Sequence, residues 1–239
     1  MDLSFYTAAV GANSQQTRMN VIANNLANIN TEGYKAQSAG FVDLLYTKYY
    51  RAATRDPETG SGARVEKTDI LYEQGGIITT GGKYDFAIMG EGFFGVYDNG
   101  TGEVYFTRNG SFRLSNYDNA QNMFYLANEQ GHVVLDSSFG FMWVDPLNEN
   151  QELDIGVFDF ESKEGMLLLG NNLYGAVEKN GQPFLNPHAD VLPGRLEMAN
   201  VDLAYEMSKV IETQRAYQMM LKMVQTSDEI EQTINNLRG

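Results

Sequence analysis

Residues 23–35 read Ala23-Asn24-Asn25-Leu26-Ala27-Asn28-Ile29-Asn30-Thr31-Glu32-Gly33-Tyr34-Lys35, and the fold turns on how this run behaves. Asn24, Asn25 and Asn28 stand at the end of an apolar-striped segment, although asparagine is a poor helix former. Gly33 follows, suited to the left-handed backbone that lets a chain leave a helix. Either a helix frays here into a polar loop, or the amides hydrogen-bond across a packed helical interface and fix its register, as a buried Asn does in coiled coils. Composition alone points to the fraying helix.

Upstream of this run, Phe5, Ala8, Ala12, Gln15, Met19, Ile22, Leu26 and Ile29 alternate spacings of three and four, a heptad seam of about four repeats. The other end of the chain has matching character. Between Arg195 and Arg238 there is neither glycine nor proline, so the tail can run as one helix of about 37 residues. Asn200 is the expected N-cap, and Asp202 suits the first turn. Met207, Val210, Tyr217, Leu221 and Val224 form one stripe, interrupted by Gln214. A second, offset by one residue, takes in Ala216, Met220, Met223, Ile230, Ile234 and Leu237. Together they make a face wider than one partner helix needs. The two terminal helices are expected to pair, with neighbouring copies covering the rest.

The middle changes character. Twenty of the 24 glycines lie between Gly60 and Gly194. Short apolar runs, each bounded by Gly, Asn or Asp, read as strands: Phe86–Met89, Phe93–Tyr97, Val104–Thr107, Ser111–Leu114, His132–Leu135, Leu153–Phe160 and Met166–Leu169. Asn109-Gly110 is a hairpin signal, and Gln130-Gly131 and Asn180-Gly181 punctuate similarly. The predicted fold is α+β: long N- and C-terminal helices forming a coiled-coil-like domain, with a mostly antiparallel all-β domain inserted between them. The expected boundaries are 1–46 and 195–239 for the helical assembly domain, 47–64 for a polar connector and 65–194 for the β-rich domain.

A net charge of −14 leaves nothing to neutralise phosphates, which argues against nucleic acid and anionic membranes as partners. The absence of cysteine removes disulfides, thiolate catalysis and cysteine–zinc sites. No run of 18 apolar residues predicts a membrane span, and no basic leader opens the chain, so any export is expected to leave the N-terminus uncleaved.

Chemistry-bearing motifs are sparse. Gly90-Glu91-Gly92-Phe93-Phe94-Gly95 matches the dinucleotide fingerprint, but that mechanism needs a helix to start there, and the run continues as strand and loop. His132 and His188 are 56 residues apart, with no local spacing for a metal or base. Asp98 to Glu103 falls short of a calcium loop. Trp143, beside Phe139, Phe141 and Met142, reads as a buried sheet cluster rather than a sugar platform. No catalytic, cofactor or metal residue is predicted.

The Ala23–Lys35 run, together with Gln15-Gln16-Thr17-Arg18-Met19-Asn20-Val21-Ile22, Phe41 to Tyr46, Asp85 to Phe94, Asn200 to Met207 and Gln214-Arg215-Ala216-Tyr217, resembles the bacterial flagellar basal-body rod protein family. The resemblance is to the distal-rod type, with the proximal-rod type close behind, and it thins between about Asn116 and Asn171. It implies a structural subunit without catalysis or cofactor that polymerises into a helical tube and transmits torque. The implied partners are copies of itself, other rod subunits, the hook protein and the flagellar export apparatus. The implied place is the basal body outside the cytoplasmic membrane, reached through the flagellar type III channel, with the connector shaping rod geometry. Both termini are expected to be mobile in the monomer and to order on assembly. The expected assembly interface comprises Asn24, Asn25, Leu26, Asn28, Gly33, Tyr34, Met207, Val210, Gln214, Arg215, Tyr217, Leu221, Val224, Ile230, Ile234 and Leu237. The alternative is a secreted β-rich binding module carrying a helical oligomerisation stalk.

Overall fold

The computed structural model describes residues 3–43, 47–48, 58–59, 63–118, 123–145, 151 and 153–238. It forms two compact units, one of Met1–Ala27, Gln37–Leu71 and Asp202–Gly239, the other of Asn28–Ala36 and Tyr72–Val201. The architecture is α+β, with two long helices in the first unit and an antiparallel sheet in the second.

In the helical unit, α1 (Leu3–Ala27) and α2 (Leu203–Arg238) run antiparallel. Ser4 Oγ lies 3.4 Å from Ser227 Oγ, Gly11 lies against the Met220 side chain, and Arg18 reaches Glu212 at 3.8 Å. Asp202, not Asn200, caps α2. Its Oδ1 accepts from the backbone N–H of Ala204 at 2.9 Å and of Tyr205 at 3.2 Å, two of the donors a helix start leaves unpaired. Asn200 is engaged elsewhere, accepting from Ala36 N and donating to Glu73 O. On α1, Ala8, Ala12 and Ile22 are buried. Beside the half-buried Lys209 and Ala216, α2 covers seven residues, Glu206, Val210, Thr213, Tyr217, Met220, Val224 and Ser227, that alternate four and three as a heptad seam requires. Three of these seven are polar, which is why the apolar pattern splits into two offset stripes instead of marking the seam. Past Ser227, α2 continues for about 11 residues, Asp228 to Arg238, or roughly 16 Å.

The same unit holds an antiparallel strand pair, Gln37–Asp43 with Ala63–Ile70, bulged between Gly40 and Phe41. The polar alternation and internal glycine of these strands gave no strand signal in the sequence. The segment 47–64, read as a connector, lies outside the described residues apart from Ala63, Arg64 and the short pair Thr47–Lys48 with Glu58–Thr59.

The second unit is built on one ten-stranded sheet whose described pairings are antiparallel. Its path runs Trp143–Val144, Met123–Ala127, Val133–Val134, Phe93–Tyr97, Val104–Thr107, Leu173–Gly175 and Leu167–Gly170. Arg113–Asp118 joins Met123–Ala127, and Val157–Asp159 bridges Phe93–Tyr97 to Phe184–Leu185. Two further pairs bring the end of the middle segment back: Asp190–Pro193 on Phe86–Met89, and Arg195–Glu197 on Ile77–Thr79. The core comprises Phe86, Ile88, Phe94, Val96, Phe112, Leu126, Val134 and Val157 with their neighbours, each worth about 1.5–3 kcal/mol of burial. The Phe94 and Phe112 rings meet edge to face at 5.2 Å.

Two sequence expectations change here, and a third is met. Asn109-Gly110 is not a hairpin turn, because Val104–Thr107 pairs with Phe93–Tyr97 and Leu173–Gly175, while Arg113–Asp118 pairs with Met123–Ala127. Gly110 instead marks a crossing so tight that a Cβ would sit 1.7 Å from Phe86 O. Trp143 is 52% exposed and Phe139 49%, so only Met142 of that run is buried; Phe141 is half-buried against Tyr97 and Tyr125, and Phe139 stands in the bend before it, its ring 4.5 Å from that of Phe158. The Gly90–Gly95 run enters the strand Phe93–Tyr97, with Gly90 and Gly92 at positive φ, and no helix starts there.

Candidate assembly surface

The asparagine-rich run turns a corner at the end of α1, and its members part company. Asn25 is buried, and its amide closes a ring with the backbone of Gln37: Nδ2 donates to Gln37 O and Oδ1 accepts from Gln37 N, both at 2.9 Å. Such a pairing locks the first residue of the following strand to the helix that precedes it. Asn25 therefore fixes geometry inside the chain. Asn24 is exposed; Leu26 and Asn28 are half-buried. Asn28 opens a turn, accepting from Thr31 N at 3.0 Å on its carbonyl and from Thr31 Oγ1 at 3.3 Å on its side chain.

Gly33 and Tyr34 belong to the sheet unit and are buried there. Gly33 has φ +66°, and a Cβ would lie 2.3 Å from Asn109 N, so both its conformation and its surroundings exclude a side chain. Its N–H donates to Glu197 O at 2.7 Å. Next in sequence, Lys35 reaches a buried carboxylate: Nζ donates to Glu197 Oε1 at 2.7 Å and to Glu73 O at 2.7 Å. The other carboxylate oxygen accepts from Arg108 Nη1 at 3.0 Å, Arg108 Nη2 donates to Gly90 O, and Gly75 N also donates to Oε1. None of the three side chains is more than 4% exposed. Burial pushes the Lys35 ammonium below the ordinary lysine range, and the Glu197 carboxylate opposes that shift. Arg108 also stacks over Phe93 at 5.6 Å. Sequence reasoning missed this cluster, because its partners are 162 and 89 residues apart and no local spacing announces them.

The residues expected on α2 divide by face. Val210, Tyr217 and Val224 are half-buried in the seam, whereas Met207, Gln214, Arg215, Leu221, Ile230, Ile234 and Leu237 are exposed, Leu237 at 82%. Leu203, Tyr205, Ile211, Met219 and Met223, absent from the expected set, are exposed too. At about 100° per residue these side chains flank the seam on both sides, with Leu203, Met207 and Leu221 on one and Met219, Met223, Ile230, Ile234 and Leu237 on the other. Within the seam sit polar atoms without a hydrogen-bond partner: Thr213 Oγ1, Gln15 Oε1 and Glu206 Oε2. The arrangement offers packing area and hydrogen-bond acceptors. Among the described residues no group of acidic, histidine or cysteine side chains could hold a metal ion.

Comparison with known proteins matches three family models along the chain: flagella basal body rod protein over residues 5–35, the flagellar hook protein FlgE/F/G D1 domain over 87–155, and flagellar basal body rod FlgEFG protein C-terminal over 192–237. The chain is 32% identical to the flagellar basal-body rod protein FlgG of Buchnera aphidicola subsp. Schizaphis graminum, covering 98% of this chain and 99% of the relative. It is 30% identical to FlgG of Bacillus subtilis, over 98% of each. Against the flagellar basal-body rod protein FlgF of Mesorhizobium japonicum it is 28% identical, over 99% of each. The matched N- and C-terminal models cover most of the two helices, with residues 28–35 and 192–202 beside them, and the relatives are structural rod proteins. This chain belongs to the flagellar basal-body rod protein family, as a structural rod subunit.

Proposed function

We propose that the chain polymerises with copies of itself and with neighbouring axial proteins, other rod subunits and the hook protein, into a helical tube that transmits torque, and that it catalyses no reaction. One observation carries this reading. α2 uses a single seam on α1 and leaves apolar side chains exposed along both flanks, more than a lone helix pair needs and of the kind that marks interaction surfaces. Met207, Leu221, Ile230, Ile234 and Leu237 supply the buried area on assembly, with Gln214 and Arg215 between the apolar rows as polar specificity. Val210, Tyr217 and Val224 hold α2 on α1, and Asn25, Gly33 and Tyr34 fix where the chain leaves α1. Asn24, Leu26 and Asn28, at that corner, complete the interface.

The subunit reaches the flagellar basal body through the flagellar export apparatus and stays outside the cytoplasmic membrane. Among the described residues no helix is long and apolar enough to cross a membrane. Replacing Met207, Leu221 and Ile230 together by lysine tests the reading: motility and incorporation into purified basal bodies should both be lost while the circular dichroism of the purified subunit is kept. A motile strain carrying the triple variant would overturn it.

A further inference from the structure

The chain carries 11 methionines, and the fold treats them unequally. Met142 and Met166 are buried in the sheet unit. Met220 is half-buried in the α2 seam, where its sulfur packs so close to Gly11 of α1 that an added Cβ would lie 3.2 Å from it. Met207, Met219 and Met223 stand outward from α2, and are 49%, 62% and 54% exposed. Among the described residues the only other exposed methionine is Met89, at the end of a sheet-unit strand. Met219 and Met223 are four residues apart and share one face of the helix, in the row that continues through Ile230. Met207 stands on the other flank, with Leu203 and Leu221.

A thioether suits such rows, because an unbranched and polarizable side chain fits irregular apolar seats. It also brings a reactivity that the leucines and isoleucines beside it lack. A sulfur lone pair attacks one oxygen of hydrogen peroxide and the O–O bond breaks. That oxygen stays on sulfur, and the other leaves with both protons as water. Sulfur is oxidised by two electrons and peroxide reduced by two, so the step needs no further reactant. The sulfoxide is polar. Its oxygen is a hydrogen-bond acceptor, and burying it against an apolar partner leaves it unpaired at a cost in binding free energy. With no cysteine in the chain, no thiol within it competes for the oxidant.

We propose that Met207, Met219 and Met223 form a reversible modification site for peroxide on the outward rows of α2. As sulfoxides they keep the subunit from joining its neighbours until methionine sulfoxide reductases restore the thioethers. The proposal rests on the polymer reading and adds a chemical state to it. On that reading the rows are covered in the polymer, so the oxidant acts on the subunit before it joins. An oxidised copy is then left out of the polymer instead of being built into it.

The test uses the purified full chain and limiting hydrogen peroxide, stopped with catalase. Peptide mass spectrometry should find sulfoxide on Met207, Met219 and Met223, and on Met89, forming about tenfold or more faster than on Met142 and Met166. The treated chain should keep its circular dichroism and lose self-association in sedimentation velocity by about tenfold or more. Reductases for both sulfoxide epimers, with dithiothreitol, should restore it. A triple variant carrying M207L, M219L and M223L should associate equally before and after peroxide, whereas M89L, which retains the three thioethers, should respond like the wild type. If the three are oxidised no faster than Met142 and Met166, if their sulfoxides leave association unchanged, or if the triple variant loses association too, the site is wrong and the polymer stands. If the untreated chain stays monomeric at every concentration, both fall.

Discussion

The sheet unit conceals its apolar core within itself, while the helical unit does not. Around Phe93, Phe94 and Val96 the sheet encloses fully buried side chains, and Glu197, the carboxylate within it, finds two cations and a backbone N–H. Along α2, by contrast, apolar residues stand in solvent and the covered seam holds Thr213 and Glu206 with unpartnered oxygens. Unpartnered buried atoms occur in both units, Tyr72 Oη and Arg108 Nε in the sheet among them, so the difference lies in the apolar surface: the sheet closes over a core, and α2 leaves apolar rows exposed along its length. Where a subunit must be both a stable body and a link, these two tasks here fall to different parts of the chain.

The contrast breaks most visibly at Glu197. Replacing it with alanine leaves Lys35 and Arg108 buried without a counter-charge, and the sheet unit should lose about 3–5 kcal/mol in urea unfolding. Gly33→Ala should cost about 1–3 kcal/mol or more by the same measurement, because φ is +66° there and the added Cβ meets Asn109. Alkaline titration sharpens the comparison. Burial raises the Tyr72 phenol to about 12 from 10.0, and Tyr174 is raised in the same sense. The unfolded chain ionises first, so it binds fewer protons than the folded one above pH 10, and stability falls as pH rises from about 10 to 12. Tyr72→Phe should flatten that loss, and because its hydroxyl has no partner, should leave stability at neutral pH unchanged or slightly improved.

Smaller effects belong to the helices. Thr213→Val removes a fully buried hydroxyl without a partner at nearly constant shape and should stabilise the helical pair by roughly 1 kcal/mol in thermal unfolding. Met219→Lys, on an exposed flank, should change monomer stability by no more than about 0.5 kcal/mol while reducing incorporation into basal bodies. In limited proteolysis of the monomer, cleavage should begin in the last turns of α2, where Ile230, Ile234 and Leu237 are exposed. Resistance there would mean that these side chains are already covered.

Much of this was legible in the chain itself. The exclusion of glycine and proline from 195–238 marks α2, with its length nearly right, because those two residues alone interrupt a helix by backbone chemistry. The glycine-bounded apolar runs likewise mark the strands Phe86–Met89, Phe93–Tyr97 and Val104–Thr107. Only tertiary structure decided the rest. The α2 seam contains Glu206, Thr213 and Ser227, so hydrophobic periodicity could not find it. That the amide of Asn25 pairs with the backbone of Gln37 was not legible in the sequence. Lys35, Arg108 and Glu197 meet through chain reversals that no local spacing encodes. The backbone menu of each segment follows from its own residues, whereas the partner of a polar group depends on which distant segment the folded chain brings beside it.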